Sequence, residues 1–311
     1  MNNGDYLWDR SGPPDPEVER LERLLAPLAY QAPRRRLTAG KSAIAAAIAA
    51  AVVIAAGAVW YSVRPAGPAW QVVAVAGNHH QKTIARGGTV QTDAASKLRL
   101  ELDSFGEVEV EPNTRLKLLV AKTDEQRMSL TRGKIHAQIW APPHQFYVNT
   151  PSAVTVDLGC SYSLEVDESG DSTARVDFGW VAFEDQGRES FIPAGAVCVT
   201  RKGKGPGIPH YEDAPAAMVD GLTRFDRHSD TTVLPEILAN ARPKDALSLW
   251  HLLRRAPVQD RGAVYDRLAQ LIQVPEDVSR EQAIRGDTRA IDALWNALGL
   301  GDTDWWRMWK R

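Results

Sequence analysis

The chain has 311 residues, with 37 lysines and arginines against 39 aspartates and glutamates, for a formal net charge of −2. That balance excludes a nucleic-acid binder working through bulk positive field, and two cysteines exclude a disulfide-stapled scaffold. The mean hydropathy of −0.31 suits a water-compatible chain, and the length accommodates two modest domains with connections.

Residues 1–41 predict one short amphipathic helix in an N-terminal tail. Asp15 can cap it, Pro16 takes the first helical position, and Glu17 and Glu19 favour the positive end of the dipole. Val18, Leu21, Leu24, Leu25 and Leu28 then share a face. So short a helix is marginal alone, so the stripe calls for a partner protein, a bilayer surface, or Tyr6, Leu7 and Trp8 upstream.

Residues 42–63 read as 22 residues without a charge. As a helix they would span roughly 33 Å, against a hydrocarbon core of about 30 Å. Arg34, Arg35, Arg36 and Lys41 precede this run, only Arg64 follows closely, and Trp60 and Tyr61 suit an interfacial belt. The pattern predicts a single transmembrane helix, with 1–41 in the cytoplasm and 64–311 outside it. A buried Ala-rich helix is one rival reading. A cleaved signal peptide ending near Ala56-Gly57-Ala58 is another, opposed by the forty-odd preceding residues and the long apolar run.

From about 70 to 200 the period becomes two. In LRLELDSFGEVEVEP, Val108 and Val110 take one face and Glu107, Glu109 and Glu111 the other, and the alternation recurs in KIHAQIW, AVTVDLG, YSLEV and WVAFED. Turn signals such as Pro112-Asn113, Arg132-Gly133 and Phe178-Gly179 separate the runs, predicting an all-β sandwich, roll or short β-helix. The three glutamates could form an acid/base or calcium site, but strict alternation reads as a solvated strand face. Residues 201–210 read as a Gly/Pro/Lys linker, since Pro206 and Pro209 interrupt the glycine-rich basic stretch that a phosphate cradle needs. Residues 211–311 return to helical spacing. Pro243 and Pro257 open two runs, Asp287 caps a third ending at Gly299, and Trp305, Trp306 and Trp309 form a last turn, as packing residues or as a partner-binding surface. The expected fold class is thus mixed, with separate domains: one transmembrane helix, an all-β domain and an α-helical domain.

Cys160 and Cys198 both fall in the β segment. Bridged, they would close a loop of about 38 residues, worth roughly 3–4 kcal/mol in the chain-entropy model; otherwise they are two buried small residues that never meet. His79-His80 reads as an exposed turn, and His136, His144 and His251 as surface or boundary residues. With no HExxH, GxSxG, Walker or EF-hand pattern and no recognisable triad, the chain reads as no enzyme, with no cofactor, metal or small-molecule substrate.

Three stretches carry a resemblance: MSLTRGKIHAQIW (128–140), FYVNTPSAVTVDLGCSYSLEV (146–166) and ARVDFGWVAFED (174–185), followed by PAGAVC (193–198). Their strand-ending Gly133, Thr150-Pro151, Gly159 and Gly179 resemble the FecR domain family, whose glycines and proline serve as structural turns. The resemblance implies a non-enzymatic inner-membrane regulator with a cytoplasmic anti-sigma region that binds a sigma factor, and a periplasmic β domain that senses an outer-membrane TonB-dependent receptor or other envelope protein. Partner binding outside would then alter exposure of the Val18–Leu28 stripe. The alternative is an envelope scaffold working through its helical C-terminus with no sigma-factor role, and a third reading is a polysaccharide-binding module using exposed tryptophans.

Overall fold

The computed structural model describes residues 16–28, 69–77 and 80–301. Its longest strand, Gln126–Ile139, crosses from one sheet to another. In chain order the strands are β1 (Trp70–Ala76), β2 (Thr83–Ile84), β3 (Thr89–Gln91), β4 (Lys97–Glu101), β5 (Gly106–Val110), β6 (Arg115–Ala121), β7 (Gln126–Ile139) and β8 (Phe146–Asn149). They continue as β9 (Val154–Asp157), β10 (Ser161–Val166), β11 (Ser172–Phe178), β12 (Trp180–Asp185), β13 (Arg188–Pro193), β14 (Ala196–Arg201), β15 (Gly205–Pro206) and β16 (His210–Tyr211).

The second half of β7 lies between β5 and β10 in a sheet ordered β2-β1-β4-β5-β7-β10-β11-β14, with β15 and β16 both on β14. Its first half lies between β6 and β8 in a second sheet ordered β3-β6-β7-β8-β9-β12-β13. Alternation decides the faces: along β5 and β10 every second residue is buried, and Leu98, Leu100, Val108, Val110, Leu116, Leu118, Met128, Leu130, Ile135 and Leu164 meet in one core.

Gly133, expected at a strand end, lies inside β7 where the strand changes sheets, at φ 91°. A Cβ there would come within 2.5 Å of the Thr114 Cα. Thr114 seals the bend: its hydroxyl accepts from Lys134 N–H at 2.9 Å and donates to the Lys134 carbonyl at 3.1 Å.

One helix, α1 (Pro16–Leu25), continued by a 3₁₀ turn at Ala26–Leu28, lies in the first of two units. The second unit, Pro65–Arg311, holds all the strands with α2 (Ala216–His228), α3 (Leu234–Asn240), α4 (Ala246–Arg255), α5 (Arg261–Leu271), α6 (Arg280–Arg285) and α7 (Thr288–Asn296). The Asp287 carboxylate caps α7 by accepting from Ala290 N–H at 3.1 Å, as its spacing predicts.

The expected fold class is corrected on two points. Among the described residues no helix is long and apolar enough to cross a membrane; α2, at 13 residues, falls short of the roughly 20 a span needs. The expected span 42–63 lies outside the described residues. Secondly, the β and α parts are not separate domains, because they share one hydrophobic core. Trp180 of β12 and Phe191 of β13 pack on Trp295 of α7 with ring centroids 5.8 and 5.5 Å apart, and Trp250 of α4 meets Trp295 at 4.7 Å. Indole N–H groups in this cluster are satisfied: Trp250 donates to the Ile291 carbonyl at 2.8 Å and Trp295 to that of Gly301 at 3.0 Å. His251, expected at the surface, is fully buried beside them, and burial, reinforced by Arg255 and Arg254, pushes its pKa well below the usual value and keeps it neutral.

The expected linker is also structured. Residues 205–209 are buried, β15 pairs back on β14, and the Pro209 carbonyl accepts from Ser248 of α4 at 2.7 Å. Beneath it Arg255 of α4 faces Asp226 of α2 at 3.6 Å and donates to Ser190 of β13, while Asp226 accepts from Ile208 N–H at 2.7 Å. Burial raises the Asp226 pKa and lowers that of Arg255 to about 10. Charges this deep are tolerable only when they face each other and are hydrogen-bonded as well, Arg255 to Ser190 and the Glu189 carbonyl and Asp226 to Ile208 N–H.

Two outcomes follow for stability. Gly133→Ala must move Thr114 backbone as well as adopt an unfavourable φ, and should lower urea-unfolding stability by at least about 2 kcal/mol. Arg255→Leu leaves Asp226 buried alone and should cost about 3–5 kcal/mol, with much of it recovered in the Arg255→Leu/Asp226→Leu double variant. An equal or larger loss in the double variant would refute the pairing.

Candidate interaction surfaces

On the solvent face of the first sheet, β4 and β5 bring opposite charges into register, with Arg99 directly across from Glu109. Lys97 lies 2.9 Å from Glu109 and 2.8 Å from Glu111, and Arg99 reaches Glu109 at 3.2 Å and Glu107 at 3.6 Å. Lys97 is held charged by Glu111 first and Glu109 second, and Glu109 is lowered chiefly by Lys97. The three carboxylates thus form a cross-strand ion ladder. Among the described residues no group of three or more His, Cys, Asp and Glu side chains could hold a metal.

At one end of this sheet the β9–β10 and β11–β12 turns meet. Asp157 closes the first: its Oδ1 accepts from Gly159 N–H at 2.7 Å and its Oδ2 from the Cys160 thiol at 2.5 Å. Gly179 closes the second at φ 73°, where a Cβ would fall 2.1 Å from the Gly159 carbonyl oxygen; only glycine lets the two turns touch. The exposed Pro151 lies in the β8–β9 turn, with the Thr150 hydroxyl bonded to the Ala153 carbonyl at 2.9 Å. Burial raises the Asp157 pKa to about 7, against the opposing pull of the Cys160 and Gly159 bonds, and raises the Cys160 thiol well above its usual value. That thiol is a protonated hydrogen-bond donor, the opposite of an activated nucleophile.

Cys160 and Cys198 are both buried and free. Cys160 immediately precedes β10, whereas Cys198 lies in β14 across from Ala174 of β11. With β11 between their strands, they are separated by roughly two strand spacings of about 4.8 Å, plus an offset along the strands, beyond the reach of a disulfide. Cys198 instead donates to the Gly207 carbonyl at 3.3 Å.

Above the turns the surface is apolar. Trp140, just past β7, is 62% exposed and Phe178, ending β11, is 72% exposed. Phe178 lines a groove of about 560 Å³ together with Leu158, Trp180, Pro193, Tyr211 and Leu300. The sequence reading did not single out Trp140 or Phe178, since alternation alone cannot show that the last residue of a strand stands clear of its neighbours.

The other apolar surface is on α1. Leu21, Leu24 and Leu25 are 56, 66 and 55% exposed, Val18 is half-buried, and no residue of the helix is buried. Leu28 belongs to the 3₁₀ turn that follows. Trp305, Trp306, Trp309 and His79 lie outside the described residues. His136 is half-buried, 3.4 Å from Ser161 Oγ and 3.7 Å from Asp177, and His144 donates its backbone N–H to the Asp157 carbonyl.

Asp157 yields a pH prediction. Its pKa is raised from the usual 3.8 to about 7 on folding, so the folded state holds a proton the unfolded state has released. The stabilisation is complete below pH ~4 and is lost as pH rises through ~7. Between pH 5 and 8 the wild type should lose about 2–3 kcal/mol relative to Asp157→Asn, read from urea midpoints at each pH. Parallel pH profiles for the two proteins would show that Asp157 does not titrate in this range.

Residues 88–181 match the family model described as FecR protein. No curated protein matches the chain. Two crystal structures of a candidate anti-sigma factor from Parabacteroides distasonis ATCC 8503 are similar to it at 16 and 15% identity, with TM-scores of 0.36 and 0.30. The alignments cover 44 and 49% of this chain and 65% of each of those chains. At those scores neither fixes the fold.

Proposed function

We propose that this FecR-domain protein is a non-enzymatic regulator acting through protein contacts, with α1 as the element that binds a sigma factor. The observation that carries the reading is the exposed leucine stripe of α1, in a chain whose residues 88–181 match the FecR family. A ten-residue helix whose three leucines stand exposed gains its stability from whatever covers that face. Leu21, Leu24 and Leu25 recur at the spacing with which a helix enters a hydrophobic groove. The flanking Glu17, Glu19, Arg20, Glu22 and Arg23 would set orientation and partner choice at the rim.

The second contact of such a regulator is assigned to the Trp140–Phe178 end of the β region, where both aromatics are exposed and Phe178 lines an apolar groove. Aromatic anchors of this kind dominate the energetics of protein interfaces. The buried Asp157–Cys160 turn beneath supports a protein contact rather than chemistry, because it holds a fixed, protonated thiol.

Photoreactive residues placed at Leu21 and Leu25 should crosslink a sigma factor in the native cell extract, and Leu21→Glu/Leu25→Glu should reduce capture at least about tenfold, since two anchors are lost. The same substitutions should leave the urea midpoint of the second unit unchanged. Crosslinks only to lipid, or only to a second copy of the chain, would overturn the sigma-factor assignment.

A further inference from the structure

A second cleft, away from the Trp140–Phe178 groove, lies between β13 and the helices and has a volume of about 410 Å³. Its apolar wall is Phe191, Trp250 and Ile291, each 2–6% exposed and therefore fixed by the surrounding packing. Three guanidinium groups line it, from Arg254, Arg261 and Arg285, with Glu189 and Asp292 as the acids, leaving an excess of one positive charge. The arginines come from three different helices or helix ends, which the packing of α4, α5 and α6 brings together.

Their states differ. Arg261 is immobilised, donating to the Ala256 carbonyl at 2.9 Å and the Ile284 carbonyl at 3.1 Å. Arg254 holds its guanidinium 4.6 Å over the Trp250 ring, a cation–π contact that keeps the charge beside the apolar wall. Arg285 is exposed and makes no hydrogen bond or ion pair among the described residues. A cleft of this size, apolar on one side with convergent cations on the other, has the anatomy of a small-molecule site. Guanidinium favours a planar, two-oxygen acceptor, which it meets with two parallel hydrogen bonds.

We propose that this cleft binds a small organic carboxylate, with its flat apolar body against Trp250, Phe191 and Ile291 and its carboxylate at Arg285 and Arg254. The excess charge suits a monoanion; a dianion would also confront Glu189 and Asp292. This site is independent of the α1 reading and adds to it a ligand, bound where β13 meets the helices, without any reaction of that ligand. Because Phe191 and Trp250 also belong to the cluster around Trp295, occupancy would bear on the junction between the β region and the helices.

The test is calorimetric titration of the full chain with indole-3-acetate, and with indole-3-acetamide as its uncharged isostere. The acid should bind at least about tenfold more tightly than the amide, a difference of about 1.4 kcal/mol. The exposed Arg285→Gln should abolish that preference without changing the unfolding midpoint, and Arg254→Gln should weaken acid binding alongside it. The proposal is overturned if acid and amide bind equally, if Arg285→Gln leaves the preference intact, or if neither probe binds at about 10 mM, the weak limit of measurable association.

Discussion

The β region depends on one strand serving two sheets. β7 can do so only because Gly133 adopts a backbone conformation closed to other residues while the Thr114 backbone packs against its missing side chain. Strand pairing then spreads outward from both halves of β7 until the 16 strands of the described residues are linked, and the two inner faces meet in one core. Had the strand run straight, its alternating apolar residues would have continued along a single sheet, and the second sheet would have had no partner for its buried face.

The FecR match ends at residue 181, inside β12, but the fold does not end there. β13 completes the second sheet and is buried along most of its length, with Phe191 turned to the helices. The junction combines non-directional aromatic packing with groups that must be paired: Trp250 and Trp295 on backbone carbonyls, Ser248 on Pro209, and Arg255 with Asp226 and Ser190. Such a junction resists sliding, since any displacement strands a buried donor or charge. The helices are therefore part of the same folding unit as the strands that match the FecR family.

The surfaces left over differ in kind. On the Glu107–Glu111 face Lys97 and Arg99 pair with the three carboxylates and offset two of their charges, so most of its charge is occupied internally. The Trp140–Phe178 end and the α1 stripe instead leave large apolar groups in water, the usual mark of a surface that meets another molecule. The Arg254–Arg285 cleft is of a third kind, partly neutralised and apolar on one wall.

Much of this was written locally. Period-two alternation sets which residues of β5 and β10 are buried, Pro16 and Asp287 mark helix starts, and the spaced glycines carry the FecR resemblance, because each of these depends on neighbours a few residues away. Tertiary structure decided what depends on distant pairing. Only strand order shows that β11 keeps Cys160 from Cys198, that Gly133 is a bend and no strand end, and that residues 205–209 are buried. The same holds for His251, whose helical position says nothing of the tryptophans around it, and for the three arginines gathered from separate helices. Alternation reports faces, not neighbours, and a shared core is a property of neighbours.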